Sequence, residues 1–398
     1  MKSIANNIRG DKVIWVVVVI LSIFSLLSVY SSTGTLAYKY QSGNTEYYFF
    51  KHFGILVFGF FLMYLAHMVK YTYYSRISQI GIIIAIPLLL FTLFTGTSLN
   101  EASRWLTLPI VNLTFQTSDL AKIALIMFVA RMLSKKQDQI NDFRNSFLPI
   151  IATISIVCLL IFPANFSTSA ILFVTCVILM FIGRINILHL LGLFAIMIVA
   201  SALFLMLIFN FPEIGRFGTW KSRIESFSNK DSDSNYQSDQ AKIAIASGEI
   251  FGKFPGNSTQ RNFLPHPYSD FIYAIIVEEY GIIGGVFILL LYLILLYRGM
   301  RIASRSPGTF GAFLTIGVCL ILVLQAIINM SVAVGILPVT GQPLPLVSMG
   351  GTSIWFTSIA IGIMLSVSAE VEIEEQMTEK KEDISNSENH SKAESIIS

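Results

Sequence analysis

The sequence predicts an all-α, polytopic membrane protein that crosses a bilayer about ten times. Three observations predict it. Hydrophobic residues make up 54% of the 398 residues and charged residues only 13%, too little charge to cover a soluble domain of this size. The apolar residues gather into separate runs of roughly 17–25, each able to cross about 30 Å of hydrocarbon as a helix. Basic residues alternate between successive connections in the way that fixes membrane topology.

Taken in order, the expected spans are Val13–Ser28, Phe53–His67, Ile77–Phe94, Leu120–Leu133, Phe147–Phe162, Thr168–Ile182, Ile187–Phe211, Phe271–Tyr297, Phe310–Ile328 and Ser353–Ser368. The shorter runs are completed by their polar ends. Lys2, Arg9 and Lys12 precede the first run without a small-residue cleavage site, so an uncleaved signal anchor is expected. With the N-terminus inside, the inner connections hold Lys2, Arg9, Lys12, Lys70, Arg76, Arg131, Lys135, Lys136, Arg144, Arg184, Arg298, Arg301 and Arg305. The short outer connections hold only Lys39, Lys51 and Arg104. Both termini are then cytoplasmic.

The connection over residues 212–269, between the seventh and eighth spans, is long and falls outside; long connections in compact domains are usually functional or disordered. It opens on Arg216, Trp220, Lys221 and Arg223, passes through Ser, Asp and Asn, and closes with Gly252, Pro255, Gly256, Pro265 and Pro267. Within it, Asp231-Ser232-Asp233 has the form of a metal-binding pair but sits in a solvated stretch. After Ala369, nine acids against three lysines leave the tail at −6 and the membrane body at +9, for a total of +3. Such a Glu/Lys/Ser-rich tail is expected to be disordered in the cytoplasm. Cys158, Cys176 and Cys319 lie in apolar runs and read as small hydrophobes. There is no clear internal repeat of the kind that builds many transporters, and no P-loop, GxGxxG, HExxH or GxSxG in a supporting context.

Ionisable groups near the membrane interior carry the chemistry, because each costs about 2.5–3.5 kcal/mol at a helix centre. Asp119 and Lys122 are three residues apart on one helix face. They read either as a structural ion pair at a helix start or as the lining of a polar cavity with Lys122 facing an anion. Asp270 opens the eighth span and reads either as an N-cap or as a general base kept ionised by the helix terminus. Glu278 and Glu279 follow on that span, about 12–14 Å deeper if the helix is continuous, with no evident partner. Pro338-Val339-Thr340-Gly341-Gln342-Pro343-Leu344-Pro345, followed by Ser348, Gly350 and Gly351, cannot be regular helix. It is expected as a re-entrant turn beside a cavity, or as a plain Pro-rich loop.

Four of these stretches, together with the span pattern, resemble the SEDS family (shape, elongation, division and sporulation), nearest its division branch. Asn100-Glu101-Ala102-Ser103-Arg104-Trp105 is similar to N-x-A-x-R-W, and Gln116-Thr117-Ser118-Asp119-Leu120-Ala121-Lys122 to Q-P-S-E-x-x-K. Gly256-Asn257-Ser258, Leu264-Pro265, Ser269-Asp270-Phe271-Ile272 and Glu278-Glu279-Tyr280-Gly281 are similar to G-N-S, L-P, T-D-F-I and E-E-x-G. Leu337 to Pro345 with Ser348-Met349-Gly350-Gly351 is similar to L-P-x-T-G-x-P-L-P and S-x-G-G. The chain departs from the pattern in Tyr268-Ser269 for His-Thr, Asp119 for Glu, and Asn165 for Asp.

The resemblance implies an inverting peptidoglycan glycosyltransferase that polymerises lipid II at the outer face of the bacterial cytoplasmic membrane. It implies a class B penicillin-binding protein and other division proteins as partners, and no nucleic acid. Asp270 falls on the family's catalytic aspartate. Arg104, Asp119, Lys122, Lys221, Arg223, Gln260, His266, Gln342 and Ser348 are the expected substrate contacts, with Glu278, Glu279, Gly350 and Gly351 structural or cavity-lining. A divalent cation (Mg or Mn) without identifiable ligands is an expected helper, and no organic cofactor is. The rival readings are a lipid-carrier flippase, a scaffold of the division machinery, and the elongation branch with the same chemistry.

Overall fold

A helix that meets lipid on every side has no use for polar residues, whereas one enclosed by protein can keep several. The helices of this chain sort by that rule. The computed structural model describes residues 9–95, 97–99, 102–108, 113–213, 217–228 and 236–397. In chain order they form α1 (Lys12–Ser32), α2 (Gly34–Tyr40), α3 (Thr45–Met68), α4 (Tyr71–Thr95), β1 (Thr97–Leu99), β2 (Ala102–Leu108), β3 (Leu113–Gln116) and α5 (Thr117–Lys135). There follow α6 (Leu148–Ile161, entered through a π turn at Phe143–Phe147), α7 (Phe166–Ile182), α8 (Ile187–Asn210), α9 (Phe217–Ser228), α10 (Tyr236–Gly248), α11 (Ile272–Arg305), α12 (Thr309–Ala333) and α13 (Thr352–Ile397).

The protein is an all-α polytopic membrane protein, and each expected span falls on one of these helices to within a residue or two. Among the described residues eight helices are long and apolar enough to cross a membrane, and α7 is apolar but shorter. The remaining span is α5, which carries Asp119, Lys122 and Arg131. It can do so because it is enclosed by protein: from Thr117 to Ser134 no residue is exposed. At the other extreme, α8 buries only Leu190 and Ile208, and its apolar surface faces outward all round.

Four features depart from the sequence reading. The connection before α5 forms a three-stranded antiparallel sheet in the order β1-β2-β3, with Leu106 opposite Phe115 and Leu108 opposite Leu113. The alternation in Leu113-Thr114-Phe115-Gln116 is the period-2 signal, in a strand too short to stand out. The long connection contains two helices, α9 and α10. The last helix continues past its apolar residues to Ile397, where a disordered tail is the compositional expectation; Glu and Lys are good helix formers, and its first acids are tied down. Glu370 pairs with Lys70 (3.0 Å) and Glu375 with Arg305 (3.0 Å), while Gly10 N donates to Glu372 Oε2 (2.9 Å).

The fourth departure is the largest. α11 is broken at Gly281, whose φ of 70° and ψ of −174° are not helical. A methyl placed on Gly285 would lie 2.7 Å from Val277 Cγ2 and 3.0 Å from the Tyr273 hydroxyl. In a straight helix, residues 8 and 12 apart are separated by about 12 and 18 Å. Ile272–Tyr280 is therefore folded back across the beginning of the helix that follows. Glu278 and Glu279 do not lie one helical length deeper than Asp270.

Small residues let the bundle close. A methyl at Gly362 on α13 would be 2.4 Å from the Met63 carbonyl oxygen of α3, and one at Gly59 would be 2.8 Å from Ser358 Oγ. On the lipid side, Gly192 of α8 has nothing within 4 Å. Gly362→Leu is expected to destabilise the protein by about 1–3 kcal/mol through overpacking, read as a lowered thermal midpoint in detergent, whereas Gly192→Leu is expected to leave the midpoint unchanged.

Candidate active site

Asp270 lies in the turn before α11. The helix's N-cap is Phe271, so the carboxylate is not used as the cap. Ser269 Oγ donates to Asp270 Oδ1 (3.2 Å). On the other side, Oδ2 faces Gly341, where a methyl would sit 3.5 Å away. Gly341 has φ +66°, so a side chain there is strained as well as crowded against the carboxylate. Tyr268 stands beside it; burial, then the Asp270 charge, pushes its phenol above the ordinary tyrosine value, keeping it protonated.

Gly341 belongs to the segment between α12 and α13, which is irregular, and its second half is buried: Leu344, Leu346 and Val347 are each less than 5% exposed. Its prolines forbid a helix, so its peptide groups need other partners. They have them. Asn329 Nδ2 donates to Gln342 O (2.7 Å), Gln325 Nε2 to Pro343 O (2.9 Å), Tyr292 Oη to Pro345 O (2.5 Å) and Ser25 Oγ to Val347 O (2.8 Å). Since the Ser25 proton goes to that carbonyl, Ser25 accepts from Nε2 of the fully buried His52 (2.6 Å). Ser348 Oγ accepts from Leu344 N (2.8 Å) and donates to Ser269 O (2.6 Å). Met349 N donates to Tyr268 O (2.9 Å). The same Asn329 amide also donates to Asp270 O (2.9 Å), so one side chain ties the Asp270 turn to the Gln342 turn.

Behind this cradle runs a buried polar chain. Lys122 Nζ lies 2.7 Å from Asp119 Oδ1 and 3.4 Å from Gln325 Oε1. Gln342 Nε2 donates to Asn165 Oδ1 (3.1 Å) and Thr168 Oγ1 (2.9 Å), while Asn165 caps α7 through Thr168 N (3.2 Å). Asn165 also lines a cleft of about 260 Å³, part of it open to the surroundings, with Thr92, Thr117 and Ser118.

Glu278 and Glu279 have partners after all, brought by the long connection. Glu278 is fully buried and receives Lys253 Nζ (2.8 Å), Ser258 Oγ (2.5 Å), Thr259 N (3.1 Å), Thr259 Oγ1 (2.9 Å) and Gln260 N (3.3 Å). Glu279 accepts from Ser31 Oγ and Ser258 N (3.4 Å). The two carboxylates thus pin residues 253–261 to the break in α11, as structural anchors. The backbones cross closely there: a methyl on Gly252 would lie 2.2 Å from Glu279 O.

Of the other expected contacts, Gln260 joins the Glu278 anchor through its backbone, and the exposed His266 meets Tyr268 Oη through Nδ1 (3.3 Å). Lys221 lies 3.9 Å from Glu225 and over the Phe209 ring, while its neighbour Trp220 packs on Phe162, Phe166 and Phe204. Gly350 and Gly351 turn the chain into α13, with Ser353 N bonded to Gly350 O (3.0 Å). Arg104 sits on β2 and Arg223 on α9, but their side chains, like Asn100, Glu101 and the Asp231–Asp233 pair, lie outside the described residues. Among the described residues no group of three or more His, Cys, Asp or Glu is placed to hold a metal ion. Sequence reasoning missed Gln325 and Asn329; their signal is two amides four apart on one face of an otherwise apolar helix. Ser25 and His52 gave no signal separable from ordinary polar residues in a span.

The chain as a whole is similar to known proteins. The family model of the FtsW, RodA and SpoVE cell cycle proteins matches residues 11–373. Stage V sporulation protein E of Bacillus subtilis is 32% identical over 370 residues, covering 90% of this chain and 96% of its own. A probable peptidoglycan glycosyltransferase FtsW of Geobacter metallireducens is 34% identical over 371 residues, with 90% and 95% covered. Among solved structures, a peptidoglycan synthase complex coordinating polymerization and crosslinking has a chain that matches with a TM-score of 0.73 at 20% identity, covering 91% of this chain and 98% of that one. The rod shape determining protein RodA of Thermus thermophilus matches at 0.64 and 23% identity, covering 90% and 96%. At these identities the structural likeness speaks to the fold.

The buried ion pair makes a test of the site's architecture. Lys122→Met leaves Asp119 charged and enclosed, and is expected to lower stability by about 3–5 kcal/mol. Asp119→Asn combined with Lys122→Met removes both charges and is expected to recover more than half of that loss in thermal unfolding.

Proposed function

The chain belongs to the FtsW, RodA and SpoVE family of cell cycle proteins, and from that premise we propose that it is an inverting glycosyltransferase that polymerises lipid II into β-1,4-linked glycan. The observation that carries this reading is the Asp270 carboxylate, held by its main chain to Asn329 and facing the open Cα of Gly341. The acceptor's sugar hydroxyl loses its proton to Asp270 as it attacks the donor's anomeric carbon. The anomeric bond to the lipid pyrophosphate breaks in the same displacement, so one carboxylate suffices. Charge that builds on the leaving pyrophosphate is stabilised by fixed cations. Lys122, close behind the cradle, is one, and Arg104, Lys221 and Arg223 are the others on the same side of the membrane. Gln342 and Ser348 act by holding the cradle, and His266 with Tyr268 borders the entry to Asp270.

Orientation follows from the basic residues: the face with Asp11, Arg298 and Arg305 is cytoplasmic, and the site faces outward. Lipid tails lie between the spans while the head groups reach the site. Septal synthesis is supported by the curated relatives that bear the name FtsW. The partner is a class B penicillin-binding protein that crosslinks the strands, a pairing supported by the synthase complex that shares this fold.

The test is polymerisation of lipid II by the purified protein with its cognate transpeptidase, comparing wild type with Asp270→Asn at matched thermal unfolding. Wild type is expected to yield glycan polymer and the variant at least about 100-fold less, the range of a lost general base. Equal polymer from both removes Asp270 from the reaction. Transbilayer movement of labelled lipid without polymer from either would replace the reading with lipid transport.

A further inference from the structure

α1 provides a ruler for the bilayer. Its N-cap, Asp11, is 2.5 Å from Arg298 on the basic face. About twenty residues and 30 Å further on, Ser31 Oγ donates to Glu279 and Ser31 O accepts from Arg261 Nη1 (3.0 Å). That length is the thickness of a hydrocarbon core, so Asp11 with Arg298 marks one polar rim and Ser31 with Glu279 the other.

The straight part of α11 does not reach from rim to rim. From Ile282 to Arg298 it rises only about 24 Å, because the chain breaks at Gly281. The gap, about 6 Å deep, is occupied by the chain that follows α10. Ile282 N donates to Glu249 O (2.9 Å) and Ile283 N to Ile250 O (3.4 Å). The outward face of α11 at that end, with Ile282 52% and Ile283 55% exposed, continues directly into Ile250 (58%), Phe251 (76%) and Phe254 (71%). Lys253, the charged residue among them, turns inward to Glu278. Three large apolar side chains thus project outward at the level of the rim, beside a lipid-facing helix.

We propose that Ile250, Phe251 and Phe254 form a wedge seated in the headgroup–acyl boundary of the outer leaflet, completing the apolar band that the break in α11 interrupts. The wedge would fix the height of residues 253–261, and through Glu278 and Glu279 that of the folded-back half of α11, against the membrane surface. The inference rests on the ruler and not on the reaction; only the naming of the leaflet uses the orientation given above.

The test is spin-label accessibility of the full chain in phosphatidylcholine–phosphatidylglycerol liposomes, with Cys158, Cys176 and Cys319 replaced by Ala. Labels at Ile250→Cys and Phe251→Cys are expected to collide with oxygen as a label at Ile283→Cys does, and to meet a water-soluble nickel chelate about fivefold less often than a label at Lys39→Cys. Chelate access matching Lys39 would place the residues in water. Shielding from both reagents would mean that protein covers them. Either result overturns the proposal. If the cysteine-free chain does not fold, Phe251→Trp in the native background gives the same decision: added quenching by brominated phosphatidylcholine supports the wedge, and none rejects it.

Discussion

A peptide group that leaves a helix inside a membrane protein must find its partner in protein, because lipid offers none. The site is built on that constraint. Pro338, Pro343 and Pro345 make the segment after α12 irregular, and burial keeps water from repairing it. Four of its carbonyls therefore draw in specific donors: Asn329, Gln325, Tyr292 and Ser25 to Gln342, Pro343, Pro345 and Val347 in turn. These donors come from α1, α11 and α12, so satisfying one irregular stretch locks together helices far apart in sequence.

The same accounting places the Asp270 carboxylate. It is positioned through its backbone, by Asn329 on the Asp270 carbonyl and Ser348 on the Ser269 carbonyl, and not by acting as a helix cap. These two main-chain contacts act beside the Ser269 hydroxyl, which donates to Asp270 Oδ1 (3.2 Å). The Asp119–Lys122 pair stands behind it, enclosed on α5 and joined to the cradle by Gln325. The break at Gly281 has a parallel logic. Opening α11 frees backbone groups that the long connection then meets, with Lys253 N on Glu278 O (2.9 Å) and Ile282 N on Glu249 O, while Glu278 and Glu279 anchor the incoming turn.

Much of this was legible in the chain. Apolar run lengths located the spans because bilayer thickness fixes helix length, and Pro-rich residues between Phe310–Ile328 and Ser353–Ser368 marked an irregular segment, open between a re-entrant turn and a plain loop. Asp119 and Lys122 were readable as a pair because helical spacing alone brings i and i+3 together. What was not legible depends on contacts distant in sequence. Gly281 sits in an apolar stretch that reads as continuous helix, and only the approach of Gly252 explains the break. Most of the donors to Glu278 and one to Glu279 lie about twenty residues upstream, in a connection with no periodic pattern, and another donor to Glu279, Ser31, lies on α1. Asn329 reads as one polar residue in a span until the two carbonyls it joins are known. The short strands before α5 are fixed by pairing with one another, which a four-residue alternation does not announce.

The Asn329 amide joins the Asp270 turn directly to the Gln342 turn, beside the contacts that Ser348 and Met349 make to Ser269 and Tyr268. The most direct test of this link is the steady-state rate of lipid II polymerisation by Asn329→Leu, a close match in volume that cannot donate. Losing the donor leaves one buried and one partly buried carbonyl without it, a cost of about 1–3 kcal/mol, and displaces a group that must be placed to well within an ångström. The expected kcat is about 10–100-fold lower with KM near wild type, in protein that retains its thermal midpoint to within a few degrees. An unchanged kcat in a folded Asn329→Leu protein would contradict it.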